Sequence, residues 1–110
     1  MQRHILKTDP DVFKLSADED KLYEIRFDDR DFKVGDELLL VETVYSGEQM
    51  RKGAPLEYTG MLVCMSVTHK LKNVYGLKDG WCILGCFHEY MDGDFDPKQS
   101  DYWISGEIHS

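Results

Sequence analysis

The segment Leu56–Leu71 sets the strongest limit on what this chain can fold into. It is a long run of apolar and β-favouring residues, and it reads as a single extended strand. Gly60 interrupts the pattern near its start, where a glycine permits the bulge or bend by which barrel strands curve. Two further runs are of the same kind. Glu37–Tyr45 is nearly continuous apolar sequence with β-branched Val41, Thr43 and Val44, and is expected to be a central strand. Trp81–Tyr90 carries apolar residues on both faces through Phe87, the pattern of a strand covered on each side. Ser46–Pro55, with its glycines, its proline and the basic pair Arg51-Lys52, reads as a loop. Lys72–Gly80, ending in Asp79-Gly80, reads as another.

Ahead of these runs, Gln2–Lys7 alternates weakly and predicts a first strand with Ile5 turned inward. Thr8-Asp9-Pro10 is a helix start, because a capping side chain precedes a proline whose fixed φ and missing N–H suit the first turn. The helix is expected to reach about Ser16. Its apolar residues Val12, Phe13 and Leu15 are too few for independence, so it must lean on the sheet. An acidic loop, Ala17-Asp18-Glu19-Asp20, then leads to Lys21.

Lys21–Asp36 holds the densest mixture of basic and acidic residues. With Tyr23–Asp28 as a strand, alternation sends Tyr23, Ile25 and Phe27 to one face, where they would feed a core. Glu24, Arg26 and Asp28 fall on the other, with Lys21 upstream and Arg30 downstream, a suitable lining for a polar pocket. Lys21 and Arg26 would meet phosphate or carbonyl oxygens there, and Glu24 would accept from an exocyclic amine. The plainer alternative is a salt bridge on a strand face, worth less than ~1 kcal/mol if exposed. Phe32 anchors the polar connection that follows, and Val34-Gly35-Asp36 turns the chain into the next strand.

Lys21-x-x-Glu24-x-Arg26 resembles the Gly-x-Lys-x-x-Glu-x-Arg motif of ASCH domains, in the PUA-like β-barrel superfamily, with Glu19 standing where the motif has glycine. His4-x-Leu6-Lys7, Phe13, Asp29-Arg30-Asp31-Phe32, Tyr58-Thr59-Gly60 and Tyr75-Gly76-Leu77 extend the likeness to a small bacterial and phage branch of that superfamily. The resemblance implies an α+β, mainly β fold: a small mixed β-barrel of five or six strands with one or two short helices. It also implies binding of RNA or a nucleotide in a pocket formed by Lys21, Glu24, Arg26 and Arg30, with Tyr58 placed to stack on a base. Some small relatives resemble amidohydrolases of acetylated cytidine, and another a ribonuclease. Lys21 and Glu24 would be the catalytic candidates, but Glu24 stands where the amidohydrolase has its threonine nucleophile, and a carboxylate is a poor substitute for a hydroxyl in acyl transfer.

The chain has 110 residues, which suits one domain. We assign residues 1–90 to the barrel and 91–110 to an acidic, aromatic extension in which Tyr102, Trp103 and Ile104 are expected to dock on it. A net charge of −8 repels long polyanions and favours a local pocket over a nucleic-acid groove. The same charge would suit a basic patch on a protein partner, and the alternative reading is an acidic interaction module, of phage origin in one form of that reading, that engages a host protein. Neither a bilayer-spanning apolar run nor a signal-peptide core is visible, and the three cysteines are an odd number, so a cytoplasmic location is expected. No cofactor is implied. Cys82-x3-Cys86-x-His88, with Cys64, is better read as buried thiols than as zinc ligands. Asp92-x-Asp94-x-Asp96 fails as a calcium loop, because Pro97 stands where glycine is required.

Overall fold

In the computed structural model, which describes residues 1–19 and 21–93 and the backbone of 108–109, the long strand is the spine of a curled sheet. That strand, Tyr58–Lys72, pairs on one side with Glu37–Thr43 and on the other with Trp81–Asp92, both antiparallel. In chain order the elements are β1 (Arg3–Thr8), α1 (Pro10–Ala17), β2 (Tyr23–Phe27), β3 (Glu37–Thr43), α2 (Gly47–Arg51), β4 (Tyr58–Lys72), β5 (Trp81–Asp92) and β6 (Ile108–His109). The sheet order is β2-β5-β4-β3-β1-β6, with β1 parallel to both β3 and β6. The fold is therefore α+β and mainly β, with two short helices, and the sheet curls into a half barrel. Of the C-terminal extension, residues 94–107 and 110 lie outside the described residues, and the expected docking of Tyr102, Trp103 and Ile104 lies there with them.

Curvature comes from three breaks in register. Gly60, at φ 95°, sits where the β3–β4 register shifts between Val41 and Thr43, so the glycine supplies the bend expected of it. The β4–β5 ladder shifts twice more, between Cys64 and Met65 and between Val67 and His69. On the inner side Leu6, Phe13, Phe32, Leu38, Leu40, Val63, Met65, Val67, Cys82, Leu84 and Cys86 form one core. Ile5, Leu39, Val41, Leu62 and Cys64 form a second cluster, with Tyr58 packed against it.

Several expectations change. β3 ends at Thr43 rather than Tyr45, and the presumed loop 46–55 contains α2. Ser46 caps α2 by accepting from Gln49 N, while the Gln49 side chain returns the bond to Ser46 N, a full capping box. In α1 only Phe13 and Ser16 are buried, whereas Val12 and Leu15 are exposed. The faces of β2 are reversed: Glu24 is buried, and Tyr23, Ile25 and Phe27 are exposed. Two interactions explain the reversal, since Lys21 and Arg26 neutralise Glu24 on the inside while Phe27 pairs edge-on with Trp81 on the outside, ring centroids 5.9 Å apart. Nor is β5 covered on both sides, because Trp81 and Phe87 are open to solvent.

The connection from β2 to β3 is held by two carboxylates. Asp28 Oδ2 accepts from Lys70 Nζ and Lys72 Nζ, each at 2.8 Å, and Asp28 Oδ1 accepts from Phe32 N. Asp36 accepts from Gln2 N, Lys33 N and His4 Nε2, the last at 2.9 Å between two buried side chains. His4 also lies edge-on against Phe32. The residue chosen from sequence as an apolar anchor thus sits in the inner core between these two nodes.

Candidate binding cleft

β2 places a carboxylate between two cations. Lys21 Nζ donates to Glu24 Oε1 at 2.9 Å, and Arg26 Nε donates to Glu24 Oε2 at 3.2 Å. Lys21 Nζ also reaches the Tyr23 carbonyl at 2.6 Å and lies 5.0 Å from the centre of the Tyr23 ring. The structure therefore brings together the three motif residues expected to act as a unit. Both oxygens of the buried Glu24 are engaged, and the triad is rigid on its protein side.

Arg26 joins two cavities. The first, about 260 Å³, is lined by Leu6, Ile25, Phe27, Phe32 and Trp81, with Arg26, Arg30 and Asp29 at its polar edge. The second, about 330 Å³, is lined by Lys7, Thr8, Asp9, Val12, Gly47, Met50, Arg51 and Arg26. Its floor is fixed where Asp9 Oδ1 accepts from Gly47 N at 3.0 Å, tying the start of α1 to the start of α2. In α1 this aspartate makes no side-chain cap bond, so it links the helices rather than capping its own. One cavity is thus apolar and aromatic, the other carries Lys7 and Arg51 beside Asp9, and Arg26 lines both. Among the described residues, Arg26 has no side-chain partner other than Glu24.

Arg30 lies at the edge of the first cavity, ion-paired with Asp29 at 3.3 Å. Tyr58 does not join the group. It packs on the second cluster beside Ile5 and Leu39 and does not line the two cavities that share Arg26; burial raises the pKa of its phenol. The structure therefore places Tyr58 apart from the Lys21–Glu24–Arg26 group: entry into β4 at the Thr43 pair turns it toward the packed cluster. Sequence reading missed Lys7, Phe32 and Trp81 as lining residues, having assigned them to a strand, an anchor and a core. Arg51 did stand out as a basic spot, and the Ser46-x-x-Gln49 capping pattern would have placed it at the end of a helix.

The cysteines divide between the two clusters, with Cys82 and Cys86 in one and Cys64 in the other. All three thiols are buried. Burial first, and then the neighbouring Glu37 carboxylate, pushes Cys64 up to about 12, while burial and then Glu24 does the same to Cys86. Among the described residues no helix is long and apolar enough to cross a membrane.

No curated protein matches the chain. Residues 3–86 match the profile of a family described as a domain of unknown function, DUF3850; the match runs from β1 through the Lys21–Glu24–Arg26 triad to the first half of β5, and the chain belongs to that family.

Proposed function

We propose that this protein binds a nucleotide, free or as one unstacked residue of an RNA, in the cleft centred on Arg26. The observation that carries this reading is the sharing of Arg26 by an aromatic cavity and a cationic one. A nucleotide has the same division. Its base suits the end lined by Phe32 and Trp81, and its phosphate suits the end bearing Lys7 and Arg51. Arg26, held at Nε by Glu24, presents its terminal nitrogens from a fixed position, which lowers the entropy cost of binding. The resemblance of Lys21-x-x-Glu24-x-Arg26 to the ASCH motif supports the same ligand class. With −8 on the whole chain, a single nucleotide is favoured over a long polyanion.

A hydrolytic role gains less support. Glu24 is buried between Lys21 and Arg26, so an attacking water would have to reach it past the two cations that already hold its oxygens.

Titration with nucleosides, nucleoside monophosphates and short single-stranded RNAs at low salt, followed by Trp fluorescence and NMR, tests the reading. Monophosphates should bind more tightly than nucleosides. Arg51→Ala, on an exposed helix end, should remove most of that preference and weaken monophosphate binding about tenfold, the loss of one charge-assisted hydrogen bond. Equal or absent binding of the two ligand classes would sink the proposal.

A further inference from the structure

The reversed faces of β2 leave an apolar surface on the outside of the sheet. Across β2, β5 and β4 the register aligns Ile25 with Ile83 and Ile83 with Leu71, while Phe27 is paired with Trp81. Tyr23 and Phe87 extend the surface along the strands, and exposures across Tyr23, Ile25, Phe27, Leu71, Trp81 and Phe87 run from 37% to 59%. None of these residues is charged, in a chain of which 31% is charged. Gly85 makes room on this face for the His69 imidazole, which lies across it where a Cβ would stand.

We propose that this face is the interface of a homodimer, occupied by the same face of a second copy. Area is the first argument. Side chains of this size offer ~200 Å² each, and with about half of that exposed the six present on the order of 600 Å² per copy. That is the upper end for a patch left bare on a monomer, and two copies would bury about 1,200 Å², the lower bound for a specific association. Charge is the second. The six side chains carry no charge, and Glu89, two residues beyond Phe87 on β5, is held by Ser66 Oγ at the rim of the patch rather than within it. Symmetry is the third: Ile83 is central in the three-strand pattern, and a two-fold axis in the plane of the interface would bring it onto its counterpart. Ile25, Phe27 and Trp81 lie at both this face and the aromatic cavity, so the dimer would cover the aromatic cavity without contributing to the one that bears Lys7 and Arg51.

This inference does not depend on the nucleotide reading. Sedimentation velocity on the full chain, from low micromolar to submillimolar concentration, should show a monomer–dimer equilibrium. Ile83→Lys and Phe87→Lys, both outside the cleft, should each weaken dimerisation at least about tenfold, while circular dichroism shows the sheet intact. A monomer at every concentration would overturn the proposal, including the case in which short single-stranded RNA protects the face instead. A dimer that neither substitution weakens would also overturn it.

Discussion

Two carboxylates at the inner side of β2 are each held by two cations, yet they differ in what they leave available. Asp28 is saturated: Lys70 and Lys72 meet one oxygen, Phe32 N meets the other, and Lys70 also donates to the Phe32 carbonyl. The lysine bonds of that node tie the β2–β3 connection to β4. Glu24 has the same charge pattern, but Arg26 spends only Nε on it and lines two cavities with the rest. A carboxylate between two cations therefore does not by itself mark a binding site. What separates the structural node from the candidate site is the donor capacity left over after the fold is satisfied.

Replacing each carboxylate is the strongest way to break the comparison. Glu24→Ala should cost about 3 kcal/mol, because it strands two largely buried cations, and it should abolish ligand binding by releasing Arg26. Asp28→Ala should cost about 2 kcal/mol, less because Lys72 is 39% exposed, and should leave binding nearly unchanged. Urea denaturation and ligand titration on both variants check the pair; equal loss of binding would erase the distinction.

Acid titration sharpens it by a smaller amount. Burial alone would raise the Asp28 carboxyl, but the Lys70 and Lys72 ammoniums and the Phe32 amide outweigh it and hold the group at about 2, against an ordinary 3.8. A carboxylate depressed on folding stabilises the native state above its unfolded pKa and loses that contribution as pH falls through the folded value. On the order of 2 kcal/mol should thus disappear between pH 3.8 and about 2. Asp36, lowered against the effect of burial by His4 and two backbone amides, acts in the same direction. Urea midpoints measured across this range should fall less steeply in Asp28→Asn than in the wild type.

Sequence periodicity identified the main strands because their apolar runs are long, and it placed the Gly60 bend because a glycine inside a strand has few other uses. It could not tell the faces of β2 apart. Alternation separates Glu24 and Arg26 from Ile25 and Phe27 without saying which set turns inward, and the usual presumption failed because the charged set carries its own neutralisation. For the same reason Trp81 and Phe87 read as covered, since apolar character on both sides of a strand does not reveal whether the second side has a neighbour. The triad at Lys21, Glu24 and Arg26 was legible because its members are close in sequence. The convergence of Lys7 and Arg51 on one cavity was not, because it arises only where Asp9 draws α2 onto α1.

The partner of β2 has a bearing on how the molecule assembles. β3, β4 and β5 follow one another as antiparallel neighbours, joined over residues 44–57, which include α2, and over 73–80, whereas Tyr23 must wait for the far more distant Gly85. Loop-closure entropy makes that long-range pairing the later event in folding. The strand bearing the triad and half of the open apolar face is thus the one added to a sheet already formed. It is also the strand that can leave that sheet while the meander stays folded, so the cleft and the outer face would be lost and regained together.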